Sequence, residues 1–417
     1  MSTRSTVPAS ASAPSYLGPF ITVAILFGIF GFLTSLNNTL VAKLEEVFRL
    51  THGPAMLATA AWFLAYLVFS IPSAKLIAAM GYKRTMVIAL FIMMGGALLF
   101  VPAANLVSFN LTLTAIFVLA AGVCALQTAA NPYVSILGPE HSAPARLTLA
   151  QAFNSFGSAA APLVAAHFIL AGRGSTESSA ATAHMLQGPY VAIAGALFLL
   201  GIVVMFLHLP AITSTQAFRP GGQDGPMLER SIWSYSHTVL SMVGIFFYVG
   251  VEISLAAITI QFCHEQGIGN VETAGLMLVL YNVLMMAGRL LGSAVMIWIK
   301  AEKLLVALGL LGVALLITSM FSHGLVAIVT LVCCGVANSV MYPNVFALGI
   351  AELGPMTSKG SGIINLGNVG GAIIPPLFGL MADKFGIQYA FVLPMIGYLY
   401  VAYYGFSGYK PSRTAKA

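Results

Sequence analysis

Glu252 and Arg289 carry opposite formal charges inside consecutive hydrophobic spans of the C-terminal half of the chain. An ionised side chain at the centre of a bilayer costs about 2.5–3.5 kcal/mol even on a lenient scale, so one retained there usually faces a polar cavity. Such a pair could carry a proton. Burial favours the neutral carboxyl, a nearby cation favours the carboxylate, and a proton carrier passes between the two situations. Two other readings stay open. One is a static ion pair tying the two spans together. The other is a sodium site near Glu252, completed by asparagine oxygens and a carbonyl freed beside a proline.

The remaining polar groups predicted inside spans are mostly amides and phenols: Asn37, Asn38, Gln127, Asn131, Gln151, Asn154, Asn282, Asn338, Tyr342, Asn344, Asn365 and Asn368. An amide offers two donors and an acceptor, so it can hold neighbouring hydroxyls of an uncharged ligand. Trp62, Tyr66 and Tyr281 could lie against the apolar face of a ring. The competing role for each amide is a hydrogen bond to an adjacent helix, worth about 0.6 kcal/mol. No Ser/His/Asp set, phosphate loop or metal-ligand spacing appears, so neither an enzyme nor a cofactor or metal protein is expected.

The elements that must position these groups are membrane helices. With 59% hydrophobic and 7% charged residues, the chain has too little polar surface to coat a water-soluble globule of 417 residues. Runs long enough to cross about 30 Å of hydrocarbon fall near 17–42, 55–79, 85–104, 110–132, 147–171, 189–209, 237–262, 273–298, 303–322, 325–350, 361–382 and 389–408. The expected fold is therefore all-α, with twelve transmembrane helices. The first is too long for a cleaved signal sequence and is expected to be retained. Cys124, Cys263, Cys333 and Cys334 lie in or beside apolar spans without disulfide spacing and read as core residues.

Basic residues set the orientation. If both termini share one side, that side gathers Arg4, Lys75, Lys83, Arg84, Arg146, Arg219, Arg230, Lys300, Lys303, Lys359, Lys410, Arg413 and Lys416, while the other holds Lys43, Arg49, Arg173 and Lys384. Termini and central loop are accordingly expected in the cytoplasm. The same distribution accounts for the excess of Lys and Arg, 18 against 12 acids, without a nucleic-acid partner.

The Pro- and Gly-rich connector 210–236 divides the spans equally, which suggests two duplicated halves. A trace of the duplication is readable. Asn131-Pro132-Tyr133-Val134-Ser135-Ile136-Leu137-Gly138 is followed by Asn154, twenty-two residues after its proline, and Tyr342-Pro343-Asn344-Val345-Phe346-Ala347-Leu348-Gly349 is followed at the same distance by Asn365. Each proline removes a helix hydrogen bond and frees a carbonyl that lipid cannot satisfy. Both sites are thus expected to face the protein interior.

Gly81-Tyr82-Lys83-Arg84, between the second and third spans, resembles the loop motif of the major facilitator superfamily, with a weaker echo at Gly379, Asp383 and Gly386. The likeness sharpens at Leu126-Gln127-Thr128-Ala129-Ala130-Asn131-Pro132-Tyr133, Leu137-Gly138-Pro139-Glu140 and Arg146-Leu147-Thr148-Leu149-Ala150-Gln151-Ala152-Phe153-Asn154-Ser155-Phe156-Gly157. These segments resemble the fucose permease family and its glucose/galactose permease branch. Ser35-Leu36-Asn37-Asn38, Tyr248-Val249-Gly250-Val251-Glu252, Gly288-Arg289 and Gly370-Gly371-Ala372-Ile373-Ile374-Pro375 extend the likeness over the membrane region.

What the resemblance implies is a sugar–cation symporter with two pseudo-symmetric six-helix bundles, 17–209 and 237–408, between a tail 1–16, the cytoplasmic linker 210–236 and a tail 409–417. A neutral hexose and a coupling cation, proton rather than sodium, are the expected partners of a monomer embedded among the lipids of a bacterial inner membrane. A passive uniporter and a transporter-like sugar sensor are the alternatives. The expected sugar-binding set is Asn37, Asn38, Gln127, Asn131, Gln151, Asn154, Tyr281, Asn282, Arg289, Tyr342, Asn344, Asn365 and Asn368. Fucose permeases carry acids where Asn38 and Gln127 stand, and an amide cannot titrate. The coupling role is therefore expected at Glu252 with Arg289.

Overall fold

The computed structural model describes residues 17–47, 52–170, 187–207, 231–267 and 271–411. The expected tail 1–16, most of the linker 210–236 and the last residues 412–417 lie outside the described residues.

Every regular element among the described residues is helical. The N-terminal half comprises α1 (Leu17–Val47), α2 (His52–Asn105), α3 (Phe109–Ile136), α4 (Ala143–Leu170) and α5 (Gln187–Phe206). The C-terminal half comprises α6 (Ser236–Glu265), α7 (Val271–Val295), α8 (Ala301–Phe321), α9 (Gly324–Asn338), α10 (Met341–Gly349), α11 (Thr357–Leu366), α12 (Gly370–Phe385), α13 (Ile387–Ala390) and α14 (Val392–Tyr403).

A straight helix of 54 residues would measure about 80 Å at 1.5 Å per residue, far more than a bilayer core. Helix α2 is broken at Gly81, whose φ of 82° and ψ of 168° are open essentially to glycine alone. On the first arm Ser70 meets Cys124 at 3.4 Å, and on the second Met93 abuts Gly122. Both arms therefore flank the same stretch of α3, and the chain reverses at Gly81. The two spans expected at 55–79 and 85–104 are these arms.

In the second half, the span expected at 325–350 is interrupted at Ser339–Val340 between α9 and α10, and that expected at 361–382 is jointed by a short turn at Gly367–Val369. Counted as crossings, each half supplies six. Ten stretches among the described residues are long and apolar enough to span a membrane, one of them the double-length Leu57–Asn105; α4 completes the twelve.

Packing within the halves follows one rule twice. Gly28 and Gly31 of α1 lie against Gly157 and Asn154 of α4 so closely that a Cβ on Gly31 or Gly157 would strike the facing backbone carbonyl. In the other half, Gly367 and Gly370 press on the carbonyls of Met242 and Phe246 in α6. Small residues let helix backbones approach where no hydrophobic effect drives association. The halves then meet along α4 with α7 and α10, and along α11 with α2 and α3.

Candidate functional site

A cavity of about 170 Å³ lies between the halves. The first half lines it with Phe30, Gly31 and Thr34 of α1, Tyr66 of α2, Gln127 of α3, and Gln151, Asn154 and Ser158 of α4. The second half contributes Tyr248, Val249 and Glu252 of α6, Arg289 of α7, Tyr342 of α10, and Asn368 of the turn between α11 and α12.

The two charged residues are brought together here. Arg289 Nη2 stands 3.9 Å from Glu252 Oε1, with the arginine side chain 6% exposed and the glutamate 26%. This is a loose contact rather than a bidentate pair. The guanidinium is more firmly held elsewhere. Its Nε donates to the Ser339 carbonyl at 3.2 Å, and its Nη1 donates across the interface to the Gln151 carbonyl at 3.1 Å and to the Ser155 hydroxyl. One cation thus joins α7, the α9–α10 break and the opposite half, leaving Glu252 partly free.

The break that receives Arg289 has a local cause. Pro343 has no N–H, so the carbonyl four residues earlier, that of Ser339, has no helical donor. Arg289 supplies it. The same logic holds in the first repeat, where Pro132 frees the Thr128 carbonyl and Ser361 of α11 donates to it at 2.7 Å. Both freed carbonyls are satisfied by side chains in the protein interior, as the duplicated prolines predict.

The amides divide into those that line the cavity and those that bind the halves together. Gln127 accepts from the Tyr66 hydroxyl at 3.0 Å, which leaves its NH2 group for a ligand. Asn154 gives its NH2 group to the Phe27 carbonyl at 3.2 Å, which leaves its carbonyl oxygen as an acceptor. One amide is thereby set as donor and the other as acceptor, an assignment that follows from the hydrogen-bond network. Asn368 donates to the Asn365 carbonyl at 3.0 Å and also borders the cavity.

A buried chain runs beneath these groups. Asn131 donates to the Tyr342 hydroxyl at 3.3 Å, that hydroxyl donates to Asn365 Oδ1 at 3.2 Å, and Asn365 Nδ2 donates to the Thr128 hydroxyl at 2.8 Å. Asn131 and Tyr342 are the matching positions of the two repeats, so equivalent sites touch across the interface. Asn344 accepts from Thr148 of the other half at 3.4 Å. Asn131, Asn344 and Asn365 are fully buried and do not border the cavity; their bonds clamp one half to the other.

Besides Asn131, Asn344 and Asn365, two more of the expected ligand contacts lie outside the lining. Tyr281 is buried and accepts from Asn338 at 2.6 Å, away from the lining. Asn282 is exposed and its NH2 group is taken by the Leu278 carbonyl of its own helix at 2.9 Å. Helical geometry explains both, since an i−4 carbonyl and a neighbouring helix are always within reach of an amide or phenol. Trp62 is buried outside the lining, whereas Tyr66 borders it. Asn37 and Asn38 lie in α1, but their side chains are outside the described residues.

Several lining residues escaped the sequence reading. Phe30 and Thr34 share a face of α1 at i, i+4; Ser158 stands four residues after Asn154; Tyr248 stands four before Glu252. Extending each polar anchor by one helical turn would have found the last two.

The sequence profile of the Major Facilitator Superfamily matches residues 23–373. The chain belongs to the major facilitator superfamily. Superfamily relatives align over nearly its whole length. A protein of Brucella abortus named as a glucose/galactose transporter is 37% identical over 405 residues, covering 96% of both chains. One of Escherichia coli named as an L-fucose-proton symporter is 32% identical, covering 89% of this chain and 88% of its own length. The crystal structure of a major facilitator transporter, FucP, in its outward conformation superposes with a TM-score of 0.84 at 29% identity over 94% of this chain and 99% of FucP. The protein is accordingly embedded in a membrane and crosses it many times; its relatives are transporters rather than enzymes.

Proposed function

We propose that this chain is a secondary active transporter that imports a neutral hexose, of the glucose, galactose, mannose or fucose type, by proton-coupled symport with alternating access. The observation that carries the reading is the lining of the central cavity: neutral amides, hydroxyls and phenols surround a single carboxylate, Glu252, beside Arg289. Amides and phenols suit vicinal hydroxyls, and an anionic solute would meet a guanidinium already engaged by Ser339, Gln151 and Ser155. The relatives named for glucose, galactose and fucose support the same class.

A proton is favoured over sodium because the guanidinium 3.9 Å from the carboxylate would repel a metal ion at that oxygen. Sodium also needs several oxygen ligands around it. Protonation of Glu252 needs only one. The bonds between halves described above, together with that from the Glu352 N–H to Glu140 Oε1 at 3.3 Å, lie from the cavity toward the face bearing the Gly81 turn. With that face cytoplasmic in a bacterial inner membrane, and both termini on the same side, the arrangement fits an outward-facing stage of a monomer.

A passive uniporter is the second reading. It is favoured by the proximity of Glu252 to a cation and by the amide at Gln127. Reconstituted protein settles the matter: labelled hexoses are offered to proteoliposomes under an imposed pH gradient, an imposed sodium gradient, or neither. Uphill uptake driven by the pH gradient alone is expected. Uptake indifferent to both gradients, with counterflow intact, would establish the uniporter, and the absence of hexose counterflow would refute the substrate class.

A further inference from the structure

A second cavity, of about 310 Å³, lies on the outer rim of the first half, between the second arm of α2 and the end of α5, and is lined by Met80, Lys83, Arg84, Val87, Ile88 and Met205. Its position follows from packing. Phe198 and Gly201 of α5 lie against Phe91, with the two rings 6.1 Å apart. One turn further along, Met205 comes level with Val87 and Ile88. Beyond that point α5 ends and the arm begins, so the wall of the groove passes from apolar to cationic toward the Gly81 end of the arm.

No hydrogen bond or ion pair engages the Lys83 or Arg84 side chain among the described residues, and no acid belongs to the lining. A groove elsewhere on the same face differs in this respect. There Lys303 and Lys410 share the lining with Glu302, which offsets their charge. Orientation by basic residues accounts for lysines on this side generally. It does not account for two unpaired cations closing one end of an apolar cleft.

We propose that this groove is a binding site for an anionic phospholipid, whose phosphate is held by Lys83 and Arg84 while an acyl chain lies along Met80, Val87, Ile88 and Met205. The chemistry is complementary at both ends. A guanidinium forks onto phosphate oxygens and a lysine adds a point charge. The apolar wall faces hydrocarbon. A free phosphate would use the first part of the site only, and a zwitterionic lipid would bring a positive group toward the two cations. Because Gly81 is the hinge between the arms of α2, the lipid would sit beside the turn that joins two crossings of the first half.

Native mass spectrometry of the detergent-solubilised full chain, titrated with phosphatidylglycerol or phosphatidylcholine of matched acyl chains, reads the site directly. Phosphatidylglycerol is expected to bind first and at least tenfold more tightly. The double substitution Lys83→Gln with Arg84→Gln is expected to remove that preference, a roughly ten- to thirtyfold loss, while Lys300→Gln with Lys303→Gln on the same face leaves it within twofold. Scanning fluorimetry confirms that the variants remain folded, and the comparison of headgroups on the unaltered protein stands without any variant. Equal affinity for the two lipids overturns the proposal, as does equal loss from the Lys300/Lys303 pair, which would reduce the effect to diffuse surface charge. Displacement of the lipid by millimolar inorganic phosphate would make the groove a phosphate site. Absence of any tightly held lipid would mean that another part of the chain fills it.

Discussion

The two halves share one scaffold and one proline-centred repeat, yet they bring different chemistry to the cavity between them. The first half lines it with Gln127, Gln151, Asn154, Ser158, Thr34 and Tyr66, none of which carries charge. The second half supplies Glu252 and Arg289 with Tyr248, Tyr342 and Asn368. In the first repeat the carbonyl freed by proline is answered by a neutral hydroxyl, that of Ser361; in the second it is answered by the guanidinium of Arg289. A repeated fold has thus kept its backbone solution while one wall offers only neutral hydrogen-bonding groups and the other adds a carboxylate and a guanidinium.

The sharpest way to break this division is Arg289→Ala. The substitution removes the donor to Ser339, both bonds to the opposite half, and the cation beside Glu252. Loss of one partner from a buried charge contact costs about 3–5 kcal/mol, so uptake and counterflow should both fall by roughly a hundredfold or more, with a lowered unfolding temperature. Arg289→Lys keeps the charge but not the fork that reaches two carbonyls at once, and should retain counterflow at a reduced rate. Full activity in Arg289→Ala would show that the charged wall is dispensable.

Next in size is Gln127→Ala, which deletes the donor set by Tyr66. Hydrogen bonds to an uncharged partner are worth about 0.5–1.5 kcal/mol, so sugar affinity should weaken about two- to tenfold in equilibrium binding while the protein stays folded. Unchanged affinity would reassign Gln127 to helix packing.

Ser361→Ala leaves the Thr128 carbonyl without its donor at a buried site. The expected cost is about 1–3 kcal/mol, seen as an unfolding temperature lower by a few degrees with sugar affinity preserved. A change in affinity with no change in stability would instead tie this bond to the ligand. Smallest of all, Asn282→Ala should alter uptake by less than twofold, because its amide serves its own helix outside the lining. A large loss would widen the neutral wall to include α7.

The architecture was legible in the sequence because hydropathy and length alone count membrane crossings, and because the repeat around Pro132 and Pro343 survives as a pattern of residue types. The adjacency of Glu252 and Arg289 was legible for the same reason: two charges in neighbouring spans have few places to go. The role of Arg289 as a tie between halves was not. Gln151 and Ser155 are far from it in sequence, and only the folded interface brings their oxygens within reach. Nor could a list of amides separate Gln127 and Asn154, which keep an end free for the cavity, from Asn131, Asn344 and Asn365, which spend their bonds between halves. An intramembrane amide has the same composition in either role; the difference is the direction of its side chain. The two-part break at Ser339 was half legible, since proline announces a freed carbonyl without naming its donor.

We propose that Glu252 couples proton movement to sugar movement, while the neutral amides, hydroxyls and phenols of both halves recognise the sugar. Parallel assays of Glu252→Gln in proteoliposomes, one of hexose counterflow and one of accumulation driven by a pH gradient, test it most directly. Counterflow is expected within about threefold of the unaltered protein and accumulation falls to simple equilibration, since a glutamine can occupy the site but cannot titrate. Accumulation that persists at the original level in this variant would contradict it.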